Sequence, residues 1–181
     1  MSPEKSGLEN DRGIHIALNI AHFNALFLIF EGKWLLLKRA PTKRLMPNRY
    51  TGVGGRVEAD ELGDLKTSVL RELNEETGLG ESDLEHLTLR RMLTHNRPGE
   101  PLTVLLYFTA KLKRYALPEC NEGTLYWVNP EEFYALDVIE TTAHALPELV
   151  GDVALEPTGT HTVRLGVAHY GDSGLERVVW G

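Results

Sequence analysis

Cysteine is almost missing from this chain of 181 residues, which contains a single one, Cys120. One cysteine excludes an intrachain disulfide framework and leaves no cysteine cluster for structural zinc. Long hydrophobic runs are missing too, because the longest strongly apolar stretch, residues 25–30, is about a third of the roughly 20 residues that a membrane-spanning helix needs. Residues 1–6 also lack the apolar segment of a secretory signal. We therefore expect a protein of the reducing cytoplasm without a membrane anchor.

Basic residues are scarce as well, since the chain has 19 lysines and arginines against 26 acidic residues and a net charge of −7. Binding to a DNA or RNA polymer depends on clustered basic residues, so a nucleic-acid partner is not expected. An anionic small molecule would then need local neutralisation, which a bound divalent cation supplies. The hydrophobic content of 42% is enough for one core. We expect a single domain at residues 14–181, preceded by a flexible lead-in at residues 1–13.

The order of β-rich and helical segments predicts the fold class. Two β-rich runs separated by Glu31-Gly32 predict a hairpin, and the prolines and basic residues that follow indicate a loop. The expected strands are residues 24–30, 33–38, 86–96, 102–112 and 124–128, a glycine-rich strand around 52–55, and a closing hairpin within 161–180. Besides a clear helix at 64–77, a short helix is expected from Pro130 and a weaker one at 142–150. Strands without regular helix alternation predict an α/β fold with a mixed sheet sandwiched between helices.

The helix at residues 64–77 carries the most informative pattern. Asp64 can cap its start, and Gly78 can end it in a left-handed conformation. At 100° per residue, the three glutamates of its last turns share an arc of about 100° beside the apolar face: Glu72, Glu75 and Glu76. The spacing alone fits either a solvated acidic face or a site for a hard divalent cation, whose oxygen ligands such a stripe supplies.

A glycine-rich segment immediately before this helix favours the second interpretation. Gly52, Gly54 and Gly55 suit a backbone that a ligand approaches closely, and Gly54 and Gly55 allow a backbone carbonyl to approach the same cation as the glutamates. Two independent features of the sequence therefore indicate one metal site.

These segments together resemble a known sequence motif. The stretch from Gly55 to Glu61, followed by Arg71-Glu72-Leu73-Asn74-Glu75-Glu76-Thr77-Gly78-Leu79, is similar to the Nudix box, G-x5-E-x7-R-E-U-x-E-E-x-G-U, in which U is apolar. The second half matches at every defined position, whereas nine residues instead of seven separate Glu61 from Arg71. The chain is thereby identified as a member of the Nudix hydrolases that is similar to their MutT-like and 8-oxo-dGTPase-like members.

The resemblance implies a metal centre for Mg²⁺, with Mn²⁺ as an alternative. Its expected ligands are Gly54, Glu72, Glu75, Glu76 and Glu122. The expected catalytic group is Glu75 or Glu122 as the base, with Arg71 orienting Glu72. The two-residue insertion sets Glu61 apart from the site.

Glu122 enters through a weaker part of the resemblance. In 8-oxo-dGTPase-like members a glutamate five residues before a tryptophan supplies a further carboxylate, and Glu122 holds this position relative to Trp127. Neighbouring Glu119 is the alternative.

The implied reaction is attack by metal-activated water on a diphosphate bond of a nucleoside triphosphate or related nucleoside diphosphate derivative, with sanitising of the nucleotide pool as one role. Such an enzyme is a Mg²⁺-dependent nucleoside diphosphate-X pyrophosphohydrolase. The expected substrate-binding residues are Thr51, Arg39, Tyr50 and Glu140.

Thr51 stands where 8-oxo-dGTPase-like members carry a purine-reading asparagine, and Asp137 and Glu140 fall in the region of their base-reading acids. Tyr107 is set aside because it lies too far beyond the box for a substrate-marking tyrosine. We expect a small-molecule nucleotide as partner and a monomer or homodimer. The alternatives are a catalytically silent Nudix-fold module that senses a nucleotide, and a plain acidic interaction domain.

Overall fold

The computed structural model describes residues 20–97, 99–159 and 162–181, so the expected lead-in at residues 1–13 lies outside the described part. The strands are β1 (Ile20–Phe30), β2 (Lys33–Arg39), β3 (Tyr50–Thr51), β4 (Leu84–His95), β5 (Leu102–Leu112), β6 (Gly123–Val128), β7 (Arg164–Gly171) and β8 (Gly174–Trp180). The helices are α1 (Leu65–Thr77) and α2 (Glu140–Leu155), with short 3₁₀ helices at Ala59–Glu61, Glu81–Asp83 and Pro130–Ala135.

These strands form one sheet in the order β3-β2-β1-β5-β4-β7-β8, and β6 pairs with β2. The pairs β1 with β5 and β4 with β7 are parallel, while the other pairs between named strands are antiparallel. The predicted mixed sheet is confirmed. The closing hairpin is confirmed as β7 and β8, although His161 of the predicted segment lies outside the described residues.

Helices cover the sheet on both faces, as the alternation of β1 requires. Leu26 and Leu28 point into the core beneath α1, whereas Phe27 and Ile29 point into the core beneath α2. The predicted sandwich of helix, sheet and helix is therefore confirmed. Neither of the two described helices is long and apolar enough to cross a bilayer.

The first two strands separate from each other, and this separation positions the site. β1 pairs with β2 only over Leu28–Phe30. Beyond that point the glycine segment lies beside β1, with Val53 bonded in both directions to Leu26 and the Gly55 carbonyl accepting the Asn24 N–H at 2.9 Å. The predicted glycine-rich strand is thus reduced to Tyr50–Thr51 and isolated bridges, because Gly54 has a φ of +141° that interrupts an extended ladder.

Helix α1 begins and ends where the sequence predicts. The Asp64 side chain accepts the Thr67 N–H at 3.2 Å, and Gly78 closes the helix with a φ of 72°. Val69 and Leu73 are buried on its inner face. The helix therefore presents its last two turns, which carry the glutamates, to the glycine segment.

Helix α2 is longer than predicted, since it covers Glu140–Leu155 instead of residues 142–150. Its N-cap residue, Ile139, makes no side-chain capping bond, so the start carries no local capping signal. Pro147 stands inside the helix. Packing of Leu146 and Leu149 against the sheet overrides these weak local preferences.

Candidate functional site

A cavity of about 430 Å³ opens where β1 and β2 separate. Many of the residues expected at the site line it: Gly54, Glu72, Glu75, Glu76, Glu122, Arg39 and Thr51. The acidic end is formed by α1 and the glycine segment, and the opposite end reaches the start of α2. One cavity is therefore lined by a carboxylate cluster and by a second group of residues from other elements.

Glu76 is the most buried of the four cavity carboxylates, with 8% of its surface exposed. The Gly54 N–H donates to its Oε2 at 3.2 Å. Burial, and after it the charges of Glu122 and Glu72, raise the pKa of Glu76 to about 8 against the opposing effects of the Gly54 hydrogen bond and Arg39. The charged form of Glu76 is therefore disfavoured in this cavity unless a further positive charge comes close.

Glu72 lies directly against the glycine backbone. A Cβ added to Gly55 would come within 2.7 Å of Glu72 Oε2, so only glycine permits this approach. Burial raises the pKa of Glu72, although the neighbouring Arg71 opposes the shift. Gly54 thus lies against the buried Glu76, and Gly55 lies against the partly buried Glu72.

Arg71 uses its full set of donors around this end of the cavity. Its Nε and Nη2 bind both oxygens of Glu61 at 2.7 and 3.0 Å, and its Nη1 donates to Glu72 and Glu75, each at 3.0 Å. The remaining donor reaches the Arg56 carbonyl at 3.1 Å. Arg71 therefore contacts two expected ligands at once, in agreement with a positioning role.

Glu61 is placed differently from the sequence-based expectation. The two-residue insertion does not set it apart, because the 3₁₀ helix Ala59–Glu61 and the turn that follows take up the extra length. The Arg71 hydrogen bond lowers the pKa of Glu61 to about 2. Glu61 thus supports the glutamates of α1 through Arg71.

Glu122 reaches the cavity from the loop before β6 and forms an ion pair with Lys43. Its carbonyl accepts the Ala40 N–H at 2.9 Å, which ties it to the end of β2. Glu119, the alternative carboxylate, is exposed and does not line the cavity. Of the two candidates, Glu122 is the one that the fold brings to the site.

The donor set fits a hard divalent cation, because carboxylate oxygens line one end of the cavity and Glu76 stays raised in pKa despite Arg39 and the Gly54 hydrogen bond. The expected ligands are not gathered into a finished centre. In the described parts of the chain no three acidic, histidine or cysteine side chains form a ready metal-binding group. Arg71 holds Glu72 and Glu75, and Lys43 holds Glu122.

The opposite end of the cavity is a wall of hydroxyl groups that sequence reasoning missed. Tyr107, Thr141 and Thr142 line it together with Thr51, and the first three are almost fully buried. Burial raises the pKa of Tyr107, and no described side chain or backbone group satisfies its hydroxyl with a well-formed hydrogen bond. Predicting α2 to start at Thr142 hid the threonine pair, and the long sequence separation from the box hid Tyr107.

Two expected substrate-binding residues do not reach the cavity. Tyr50 precedes Thr51 in β3 and points to the other side, where its ring lies 5.9 Å from that of Tyr126. Glu140 faces a second cavity and lies 3.7 Å from Arg97. Both assignments are corrected, since strand alternation turns Tyr50 away and the first turn of α2 turns Glu140 outward. Asp137 likewise pairs with Arg49, at 3.0 Å.

Comparison with solved structures gives similar folds over most of the chain. A MutT protein from Bacillus halodurans shares 18% identity, with a TM-score of 0.63 over 88% of this chain and 97% of that one. An Ap4A hydrolase binary complex from C. elegans shares 19% identity, with a TM-score of 0.58 over 75% and 98%.

The NUDIX domain of NrtR from Shewanella oneidensis, in a cocrystal with ADP ribose, shares 17% identity, with a TM-score of 0.58 over 80% and 94%. A search of curated proteins by sequence gave no match. The family model of the NUDIX domain matches residues 21–149. This match spans the cavity, the glutamates of α1 and the start of α2, and the chain therefore belongs to the NUDIX domain family.

Proposed function

We propose that this chain hydrolyses a diphosphate bond in a nucleoside triphosphate or a related nucleoside diphosphate derivative and depends on Mg²⁺ or Mn²⁺. The observation that carries the proposal is a single cavity with buried carboxylates at one end and a neutral, partly apolar wall at the other. A polyphosphate requires positive charge and a nucleobase requires a shielded surface. The two ends of the cavity match these two requirements.

The carboxylate end would hold the cation through Glu72, Glu76, Glu122 and the Gly54 carbonyl, with Glu75 as ligand or base. When bound, a divalent cation neutralises phosphate oxygens and lowers the pKa of the attacking water. Glu122 would then exchange its present partner, Lys43, for the cation, whereas Glu72 would keep Arg71 on Oε1 and offer its other oxygen. Glu75 and Glu122 remain the two candidates for accepting the proton from that water.

Arg39 and Thr51 are proposed to contact the substrate between the two ends, because both line the cavity. Arg39 lies close enough to Glu76 to lower its pKa. Its guanidinium can therefore act as a counter-charge for a phosphate held near the carboxylates.

The hydroxyl wall is proposed to receive the nucleobase. Tyr107, Thr141 and Thr142 are neutral, and the first N–H groups of α2 receive no side-chain cap from Ile139. These groups can donate hydrogen bonds, and acidic residues are missing from this end of the cavity lining. A nucleobase that presents carbonyl oxygens to these donors fits the wall better than a nucleobase whose N–H groups need acidic side chains as acceptors.

The experiment measures product release from a panel of ribo- and deoxyribonucleoside triphosphates, oxidised purine triphosphates, nucleotide sugars, ADP ribose and dinucleoside polyphosphates. Each compound is assayed with Mg²⁺, with Mn²⁺ and with EDTA. We expect hydrolysis of a subset only when a cation is present. Glu76→Ala should lower kcat by orders of magnitude while its circular dichroism spectrum remains that of the wild type.

The matched control is Glu85→Ala, which removes an exposed glutamate of β4 outside the cavity lining. Wild-type turnover in purified Glu76→Ala would contradict the proposed chemistry. No turnover across the panel, combined with tight nucleotide binding, would instead support the silent sensing module.

A further inference from the structure

Asn24 is a buried polar residue within an apolar strand. It lies on β1 with 5% of its surface exposed, among neighbours that form the core beneath α1. Burying an amide costs free energy unless its donors and acceptors are paired. The contacts of Asn24 therefore indicate why an amide stands at this position.

Both ends of the Asn24 amide bind backbone or side chains of the site. Its Oδ1 accepts the Gly55 N–H at 3.3 Å, and its Nδ2 donates to the Ser68 hydroxyl of α1 at 3.0 Å. Ser68 is completely buried. Asn24 thus connects β1, the glycine segment and α1 through one side chain.

The glycine segment also lies against Asn24 sterically. A Cβ on Gly54 would come within 2.5 Å of the Asn24 carbonyl and Oδ1 atoms. Gly54 in turn donates to Glu76, and Gly55 lies against Glu72. The position of Asn24 therefore helps to determine where the backbone lies relative to Glu72 and Glu76.

We infer that Asn24 is a positioning residue of the carboxylate end, which it holds in place by bridging Gly55 to Ser68. This inference rests on the proposed function, because it assigns Asn24 a part in the placement of the Gly54 carbonyl and of Glu72 and Glu76. Asn24 itself acts through these groups and makes no contact with the reacting atoms.

The choice of an amide follows from its two partners. The Gly55 N–H needs an acceptor, which Asn24 Oδ1 supplies, and the Ser68 hydroxyl oxygen accepts from Asn24 Nδ2. Asparagine offers one acceptor and a donor group, whereas aspartate offers acceptors only and adds negative charge beside Glu72 and Glu76. Leucine has a similar size but pairs with neither group.

The test compares Asn24→Leu and Ser68→Ala with a control, Thr109→Val, which removes from β5 the hydroxyl that accepts a hydrogen bond from Arg90 of β4. Three quantities are measured on the full chain. They are the Mn²⁺ dissociation constant by electron paramagnetic resonance, the hydrogen exchange of the Gly55 amide by NMR, and the melting temperature. A Glu76→Gln variant, otherwise unchanged, identifies the Mn²⁺ signal that belongs to the cavity.

We expect Asn24→Leu to raise the Mn²⁺ dissociation constant roughly 10- to 100-fold, as for other residues that orient metal ligands, and to speed exchange at Gly55. Ser68→Ala should raise the Mn²⁺ dissociation constant and the exchange rate of the Gly55 amide by less, since this variant keeps the hydrogen bond between Asn24 and Gly55. Thr109→Val should lower the melting temperature and leave both site readouts unchanged.

Unchanged Mn²⁺ affinity and unchanged Gly55 exchange in Asn24→Leu would overturn the positioning role. Equal changes in Thr109→Val would also overturn it, because general loss of stability would then explain the effect. If the wild type shows no Mn²⁺ signal sensitive to Glu76→Gln, the proposed metal chemistry fails. Exchange at Gly55 still decides whether Asn24 holds the segment, so the two failures are distinguishable.

Discussion

Glu76 illustrates at the residue scale how burying a carboxylate lowers stability. Its pKa rises from an ordinary value of 4.5 to about 8 in the folded chain because of burial. Between these pH values the folded state binds a proton that the unfolded state has released. The free energy of unfolding of the cation-free protein should therefore fall as pH rises from 4.5 to 8.

Glu76→Gln removes this titration. We expect the cation-free variant to be more stable than the wild type above pH 8, by at most roughly 5 kcal/mol, and to differ little near pH 4. Urea unfolding in EDTA at pH 4, 6 and 9 measures the difference. Adding Mg²⁺ at pH 9 should favour the wild type instead. A stability difference that stays constant from pH 4 to 9 would contradict the assignment.

Arg71 depends on the shape of its side chain as well as on its charge. Its guanidinium binds Glu61, Glu72 and Glu75 simultaneously, which a single ammonium group cannot reproduce. Arg71→Lys should therefore lower kcat roughly 10- to 100-fold although the net charge is unchanged. Steady-state kinetics on the preferred substrate measure the effect. Arg44→Lys, in an exposed loop position, is the control, and equal kinetics for the two variants would refute the role.

At the scale of elements, local signals decided how well the sequence predicted the structure. The ends of α1 were predicted correctly because Asp64 and Gly78 act on neighbouring backbone groups. The start of α2 was misplaced because Ile139 gives no capping signal, and the threonines of the hydroxyl wall were missed as a result. Asn24 did leave a signal, since a lone amide inside an apolar strand indicates a buried polar contact.

Glu61 shows a different limit of sequence reasoning. Counting residues between Glu61 and Arg71 suggested separation, yet a 3₁₀ helix absorbed the difference and kept the two side chains in contact. Spacing in a loop does not determine distance in space. The match of α1 to the second half of the Nudix box was reliable because the helix fixes the relative directions of Glu72, Glu75 and Glu76.

The loop between β2 and β3 places the positively charged side chain of a lysine beside Glu122. Lys43 pairs with this carboxylate, while neighbouring Arg44 is exposed. Lys43→Met should leave Glu122 available to a divalent cation and tighten Mn²⁺ binding by roughly two- to fivefold, the value of a partly exposed ion pair. Titration of Mn²⁺ by electron paramagnetic resonance tests this. Arg44→Met changes the net charge equally, so the same tightening in both variants would show that only overall charge matters.

At the scale of the whole molecule, a buried arginine connects the sheet to helix α2. Arg91 of β4 is 1% exposed and binds Asp152 of α2 through two bonds of 2.7 and 2.8 Å. It also pairs with Glu148 at 2.9 Å and lies over the Trp180 ring of β8. The sequence did not predict this cluster, because an irregularity in the pairing of β4 between Leu89 and Arg91 determines which residues face α2.

Removing one partner of this cluster should affect both stability and substrate binding. Asp152→Ala leaves Arg91 buried with one carboxylate fewer, which we expect to lower the free energy of unfolding by about 3 kcal/mol. Because α2 begins with the threonines of the hydroxyl wall, loosening its far end should raise KM for the nucleotide more than it lowers Mn²⁺ affinity at the distant glutamates.

Glu156→Ala, at the exposed end of α2, is the control for Asp152→Ala and should change stability by less than about 0.5 kcal/mol. Urea unfolding and KM are measured for both variants under the same conditions. Equal stability of the two would show that the buried pair does not hold α2 to the sheet. A loss of Mn²⁺ affinity as large as the rise in KM would show that α2 and the glutamates of α1 respond as one unit, instead of forming two separately supported ends of one cavity.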